Sequence, residues 1–159
     1  MNDAEHRRWL AQAIDLALEN VRAGGRPFGA VVVRDGEVIA TGVNEMLATH
    51  DPTAHAEMTA LRAASRKLAS PSLAGCAVYA SGHPCPMCMA AMRISGVSEV
   101  YYAYSNDDGA PYGLSTAAIY ADLAKPFAEQ SMKIVYMPVR REHGPDLYAE
   151  WKRRQAGPA

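Results

Sequence analysis

Between Asp3 and Ala23 apolar side chains recur at Leu10, Ala13, Ile14, Ala17, Leu18 and Val21, the spacing of one face of an α-helix. Gly24 and Gly25 stop it. The period then shortens. Two strand-like runs, 28–33 and 37–43, flank Asp35-Gly36, a dipeptide that favours a type I′ turn and so predicts an antiparallel hairpin with Asn44 at its end. After a turn region at 49–52, residues 54–68 are rich in Ala, Leu, Met, Arg and Lys and predict a second helix, with Thr53 as its cap. A short apolar strand is expected over 76–80. A third helix is expected over 84–94, with proline confined to its first turn. A strand over 97–104, a helix over 115–124, a fifth strand over 132–139 and a helix over 146–154 complete the series. Strands alternating with helices after an initial hairpin imply an α/β fold, a five-stranded mixed sheet with helices on both faces.

Length adds the expectation of one domain over residues 1–159, with 155–159 as a flexible tail. The 16 basic and 17 acidic side chains leave a formal charge of -1, so no global positive field collects phosphates and nucleic acid is an unfavoured partner. The N-terminal residues are charged where a signal peptide would be apolar, and no run of about 18 apolar residues occurs. The expected location is the cytoplasm, with no membrane contact. Three cysteines, an odd number, argue against a disulfide framework and leave metal binding, redox chemistry or burial. Cys76, inside an apolar strand, reads as a buried small hydrophobe.

Two motifs stand at equivalent places in this plan. His55-Ala56-Glu57 opens the second helix and Pro84-Cys85-Pro86-Met87-Cys88 opens the third. Cysteines three apart share a helix face and can grip one ion. Two thiolates and one imidazole favour zinc over magnesium or calcium, though iron accepts the same ligands. Three protein ligands leave a fourth position open, as catalytic zinc sites do. Glu57, beside such a site and not a ligand, is suited to move a proton from water to a ring nitrogen and a leaving amine. A C-x-x-C pair alone serves equally as a redox pair, or as half of a closed structural site with Cys76 or His83 as fourth ligand. The upstream His-x-Glu is what favours the open site. A zinc-stabilised scaffold without activity would have no use for Glu57.

H-x-E followed by P-C-x-x-C is the signature of zinc-dependent nucleobase deaminases, and the chain resembles the cytidine and deoxycytidylate deaminase superfamily. With Pro27 to Val33, Asn44 and Asp51 to Glu57 added, it looks most like the bacterial guanine deaminase branch. The resemblance implies a three-layer α/β/α fold, one Zn²⁺ per chain on His55, Cys85 and Cys88, and Glu57 as the catalytic acid–base. It implies a free amino-heterocycle as substrate, guanine first, in contact with Asn44, Phe28 and Ala56. It also implies a homodimer whose C-terminal segment lies near the partner's active site, which would bring in Tyr148, Trp151, Glu142 and His143.

The chain departs from that branch at two places. Relatives carry an acidic loop residue where this chain has Gly113-Leu114-Ser115-Thr116, and Asp107 or Asp108 is the candidate replacement. Relatives commonly have glutamate before the Pro-Cys pair, and here His83 stands there. Other free bases therefore stay open as substrates: an aminopyrimidine, a modified purine or an aminotriazine. A tRNA adenosine deaminase shares both motifs but would need a basic surface for the flanking phosphates.

Overall fold

The hairpin forms as expected. In the computed structural model, which describes residues 2–157, strand β1 (Gly29–Arg34) runs antiparallel to β2 (Glu37–Val43) with Arg34 opposite Glu37. Asp35 and Gly36 both take positive φ, 52° and 78°, as a type I′ turn requires. Strand β3 (Cys76–Gly82) pairs antiparallel with the other edge of β1, and β4 (Glu99–Tyr104) lies parallel to β3. The sheet order is β2-β1-β3-β4, and the parallel pair is bridged by a helix, as such a connection needs.

The pleat sorts β1 into two cores. Val31 and Val33 face helix α1 (Asp3–Arg22), where they meet Trp9, Ala13, Ala77 and Tyr79. Ala30 and Val32 face the opposite layer, helices α3 (Ala56–Leu68) and α4 (Pro86–Ser95), with Ala60, Leu61, Val78 and Met92. Both faces of β1 and β3 are thus covered, which is why these strands read as continuous apolar runs. Each fully buried valine contributes about 2 kcal/mol. Short helices α2 (Met46–Thr49) and α5 (Asn106–Gly109), and then α6 (Ala117–Leu123), connect the larger elements. Helix α7 (Leu147–Gln155) begins on Asp146, whose carboxylate accepts from the amides of Tyr148 and Ala149.

Three expectations change. The fifth strand over 132–139 is absent among the described residues: the segment is unpaired, and Met132, Val135, Tyr136, Met137 and Val139 are exposed. The chain divides into two compact units, one ending at Ala124 and the other starting at Lys125. Among the described residues the second unit holds no strand for this segment to pair with, and a lone strand gains no ladder hydrogen bonds. Thr53 does not cap the second helix. Its hydroxyl and amide both bond the Asp51 carboxylate, at 2.7 and 2.8 Å, and the helix starts later, on His55. The tail expected at 155–159 overlaps α7 at Gln155, and Pro158 and Ala159 lie outside the described residues.

Helix α3 sits on β2 without a side chain between them at Gly42. A Cβ there would collide with the Ala56 carbonyl and stand 2.5 Å from the Ala60 nitrogen. Gly42→Ala is therefore expected to lower stability by about 1–3 kcal/mol and to weaken metal retention by pushing the start of α3 outward. Denaturant unfolding checks the first, and an unshifted midpoint would show that the contact is not tight.

Candidate metal and catalytic site

Strands β2 and β3 end at the same edge of the sheet, and the chain beyond each supplies one half of the site. His55 and Cys85 are the N-cap residues of α3 and α4, both extended, with φ, ψ of -68°, 157° and -70°, 166°. For Cys85 the cause is local. Pro86 follows it, and a residue before proline is driven out of the helical region, while proline itself suits the first helical position. Both helices thus present a ligand just before their amino ends, where backbone dipoles favour a thiolate.

The three ligand atoms form a triangle. His55 Nδ1 lies 3.4 Å from Cys85 Sγ and 3.7 Å from Cys88 Sγ, and the two sulfurs are 3.6 Å apart. Tetrahedral zinc with ordinary Zn–S and Zn–N bonds requires edges of roughly 3.5–3.8 Å, so the donor set fits zinc in size as well as type. The sulfurs are far outside the roughly 2.05 Å of a disulfide, and all three cysteines are free. Among the described residues neither Cys76 nor His83 joins the cluster, so a closed four-ligand site is not formed.

The electrostatics express the same crowding. Cys88 and His55 hold the Cys85 thiol down, to about 4, against the opposing effect of burial. Cys88 moves the other way, pushed up by Cys85 first and then by burial. Its thiol donates to Glu57 Oε2 at 3.5 Å. His55 is raised by its bond to Cys85. Glu57, only 6% exposed, is raised by burial, the direction that lets a carboxyl carry a proton near neutral pH.

A cavity of about 200 Å³ opens onto this cluster, lined by Arg26, Phe28, Asn44, Glu57, His83 and Thr116 besides the ligands His55 and Cys85 and the side chain of Leu114. Residues 3–104 match the model of the cytidine and deoxycytidylate deaminase zinc-binding region. The chain belongs to this zinc-dependent deaminase family. The guanine deaminase of Bacillus subtilis is 42% identical over 139 residues, covering 87% of this chain and 88% of that protein. Its crystal structure superposes with a TM-score of 0.83 over 98% of this chain and 95% of that one, at 39% identity. The tRNA-specific adenosine deaminase of Aquifex aeolicus is 31% identical over 90% of this chain and 91% of its own.

Within this deaminase, Phe28, Asn44 and His83 line the cavity. The Phe28 ring covers Gly82, where a Cβ would come within 3.0 Å of it. Asn44, 4% exposed, accepts the Met46 amide on Oδ1 at 3.2 Å, and its NH₂ has no partner among the described residues. His83 Nδ1 donates to the Pro84 carbonyl at 3.0 Å, and its ring meets Tyr102 and Tyr120 edge-on. Ala56 is fully buried in the first turn of α3 and does not line the cavity. Asp108 does not either. Its carboxylate accepts the Ser105 amide and hydroxyl at 2.7 and 2.8 Å, capping α5, and it borders a larger neighbouring cavity of about 450 Å³. Leu114 and Thr116 occupy the loop position instead, neither of them acidic. Tyr148 belongs to the second unit, where it is 80% exposed on α7. Sequence reasoning passed over Arg26, whose one signal was its place directly before Pro27-Phe28.

The purified chain is expected to carry one zinc per chain by elemental analysis. Cys88→Ala is expected to lose it, and stripping the metal is expected to lower the melting temperature, because a ligand bound only to the folded state stabilises that state. Full zinc content in Cys88→Ala would count against this ligand set.

Proposed function

We propose that the chain is a hydrolytic deaminase of a free amino-heterocycle, converting guanine and water to xanthine and ammonia. The observation that carries this reading is Glu57. A buried carboxylate stands 3.5 Å from Cys88 Sγ, beside a three-ligand group and in the wall of the same cavity. His55, Cys85 and Cys88 would hold zinc, which when bound supplies a Lewis acid that lowers the pKa of water at neutral pH.

What the protein groups do follows from their placement. Glu57 accepts a proton from the attacking water and passes it to the ring nitrogen next to the amine-bearing carbon. It then relays the second proton to the departing amine, so that oxygen is gained and ammonia leaves. Phe28 stacks on the flat ring, and the Asn44 NH₂ donates to a ring acceptor. The cavity of about 200 Å³ suits a free base, with little room for a nucleotide and its neighbours. The formal charge of -1 favours a small-molecule substrate over tRNA, since phosphate contacts need a basic surface.

Glu57→Gln is expected to keep zinc and fold yet lose about 10²–10⁴-fold in turnover, read as ammonia release from guanine. Undiminished turnover would remove Glu57 from the chemistry. Guanine inert beside rapid turnover of an aminopyrimidine or aminotriazine would move the assignment to that base.

We also infer a cytoplasmic homodimer. Among the described residues no helix is long and apolar enough to cross a membrane. The second unit exposes Val135, Tyr136, Met137, Val139, Tyr148 and Trp151, apolar side chains that gain from burial against another chain. In this reading they lie against the partner near its active site. Light scattering is expected to give twice the chain mass, and a monomer at micromolar concentration would overturn the dimer.

A further inference from the structure

We propose that Arg26 sets substrate choice by binding the oxo-bearing edge of the heterocycle, so that the preferred substrates are amino-heterocycles carrying a ring carbonyl. The proposal rests on the deaminase reading above and extends it to the substrate's far edge.

Arg26 lies in the connection between α1 and β1 and lines the same cavity as His55, Glu57 and Cys85. It is half-buried. Its guanidinium carbon stands 6.0 Å from the centre of the Phe28 ring. Apart from that ring, among the described residues its guanidinium has no hydrogen bond or ion pair. Among the described residues, Glu57 is the only carboxylate in the lining. A half-buried cation in a cleft, without a hydrogen-bond or ion-pair partner among the described residues, retains its donors for whatever enters.

The loop that carries it is fixed. The Asn20 amide donates to the Arg26 carbonyl at 2.8 Å and to the Asn44 carbonyl at 3.0 Å, tying the two donor residues of the cavity to one side chain. Gly25 lies against Asn20, where a Cβ would come within 2.5 Å of its amide. Pro27 follows and restricts the backbone further. Arg26 and Asn44 are therefore presented together, both as donors.

A wall of donors selects acceptors. The carbonyl oxygen O6 and the five-membered-ring nitrogen N7 of guanine form the two-acceptor edge that arginine bonds in bidentate fashion. In 2-aminopurine the carbonyl is gone and the fork loses one acceptor. A site built around such a pair rejects the analogue lacking it, because its own donor is left unpaired. The cavity's other departures point the same way. Leu114 and Thr116 stand where an acid would have attracted a donor edge, and Asp108 is turned to Ser105.

The test compares guanine with 2-aminopurine, which differ at that carbonyl. In the zinc-loaded protein, Arg26→Met is expected to lower the ratio of kcat/KM for guanine to that for 2-aminopurine by about tenfold or more, chiefly through KM. Arg26→Lys, which keeps the charge and loses the fork, should fall between. Binding gives a readout independent of turnover: in Glu57→Gln, fluorescence titration with 2-aminopurine and competition by guanine should show the same change in ratio. Equal losses on both bases, by kinetics and by binding, would make Arg26 a structural residue and overturn the proposal. If wild type turns over only pyrimidines, the guanine reading fails by itself. Arg26 then stands or falls by the same ratio for isocytosine against 2-aminopyrimidine.

Discussion

The structure depends on one constraint: ligands for a single ion come from two helices thirty residues apart, and their atoms must meet within 4 Å. Neither helix can do this from its interior. They do it from their starts: His55 and Cys85 are N-caps, where the backbone is extended and the side chain reaches past the helix end, and Cys88 lies in the first turn of α4. The sheet sets the spacing between those ends. α3 is seated on β2 at Gly42 without an intervening side chain, and α4 starts just beyond the end of β3, after Gly82, His83 and Pro84. Close packing of helices on strands thus becomes precision at the metal.

The same constraint explains what was legible in the sequence. The helix α1, the Asp35-Gly36 turn and the two motifs at helix starts are local signals, carried by period, turn chemistry and proline sterics, and each forms, although Leu18 and Val21 of the α1 stripe are exposed and α4 begins at Pro86. The strand expected over 132–139 has a sound local pattern too. A strand is completed by a neighbour, however, and the unit containing this segment offers none among the described residues. Boundaries slipped for a related reason. Thr53 could cap a helix by type, but Asp51 two residues earlier accepts its amide and hydroxyl, a competition that residue type alone does not display.

At the site, the residues that come together as a ligand cluster were readable because zinc and proton transfer demand particular atoms in particular order. The rest of the cavity lining was read only in part, Phe28 and Asn44 but not Arg26, because many side chains can touch a planar ring. Asp108 shows the difference. It carries the acid the loop position suggested, yet its carboxylate is spent on the Ser105 amide and hydroxyl. Arg26 shows the converse, a side chain in no motif that enters the cavity because Asn20 and Pro27 hold its loop there.

These two displacements act together on the charge the substrate meets. Moving an acid out of the lining and placing a guanidinium in it changes that wall from one that accepts hydrogen bonds to one that donates them. The metal cluster is carried separately, since its ligands and Glu57 lie at the starts of α3 and α4, whose spacing is set by the sheet. Reaction type and substrate choice are therefore carried by different parts of the fold. The first resides in helix starts that cannot shift without losing the ion, the second in the α1–β1 connection and the loop after α5. A change of loop residue there can redirect the enzyme to another heterocycle while the chemistry of deamination is retained.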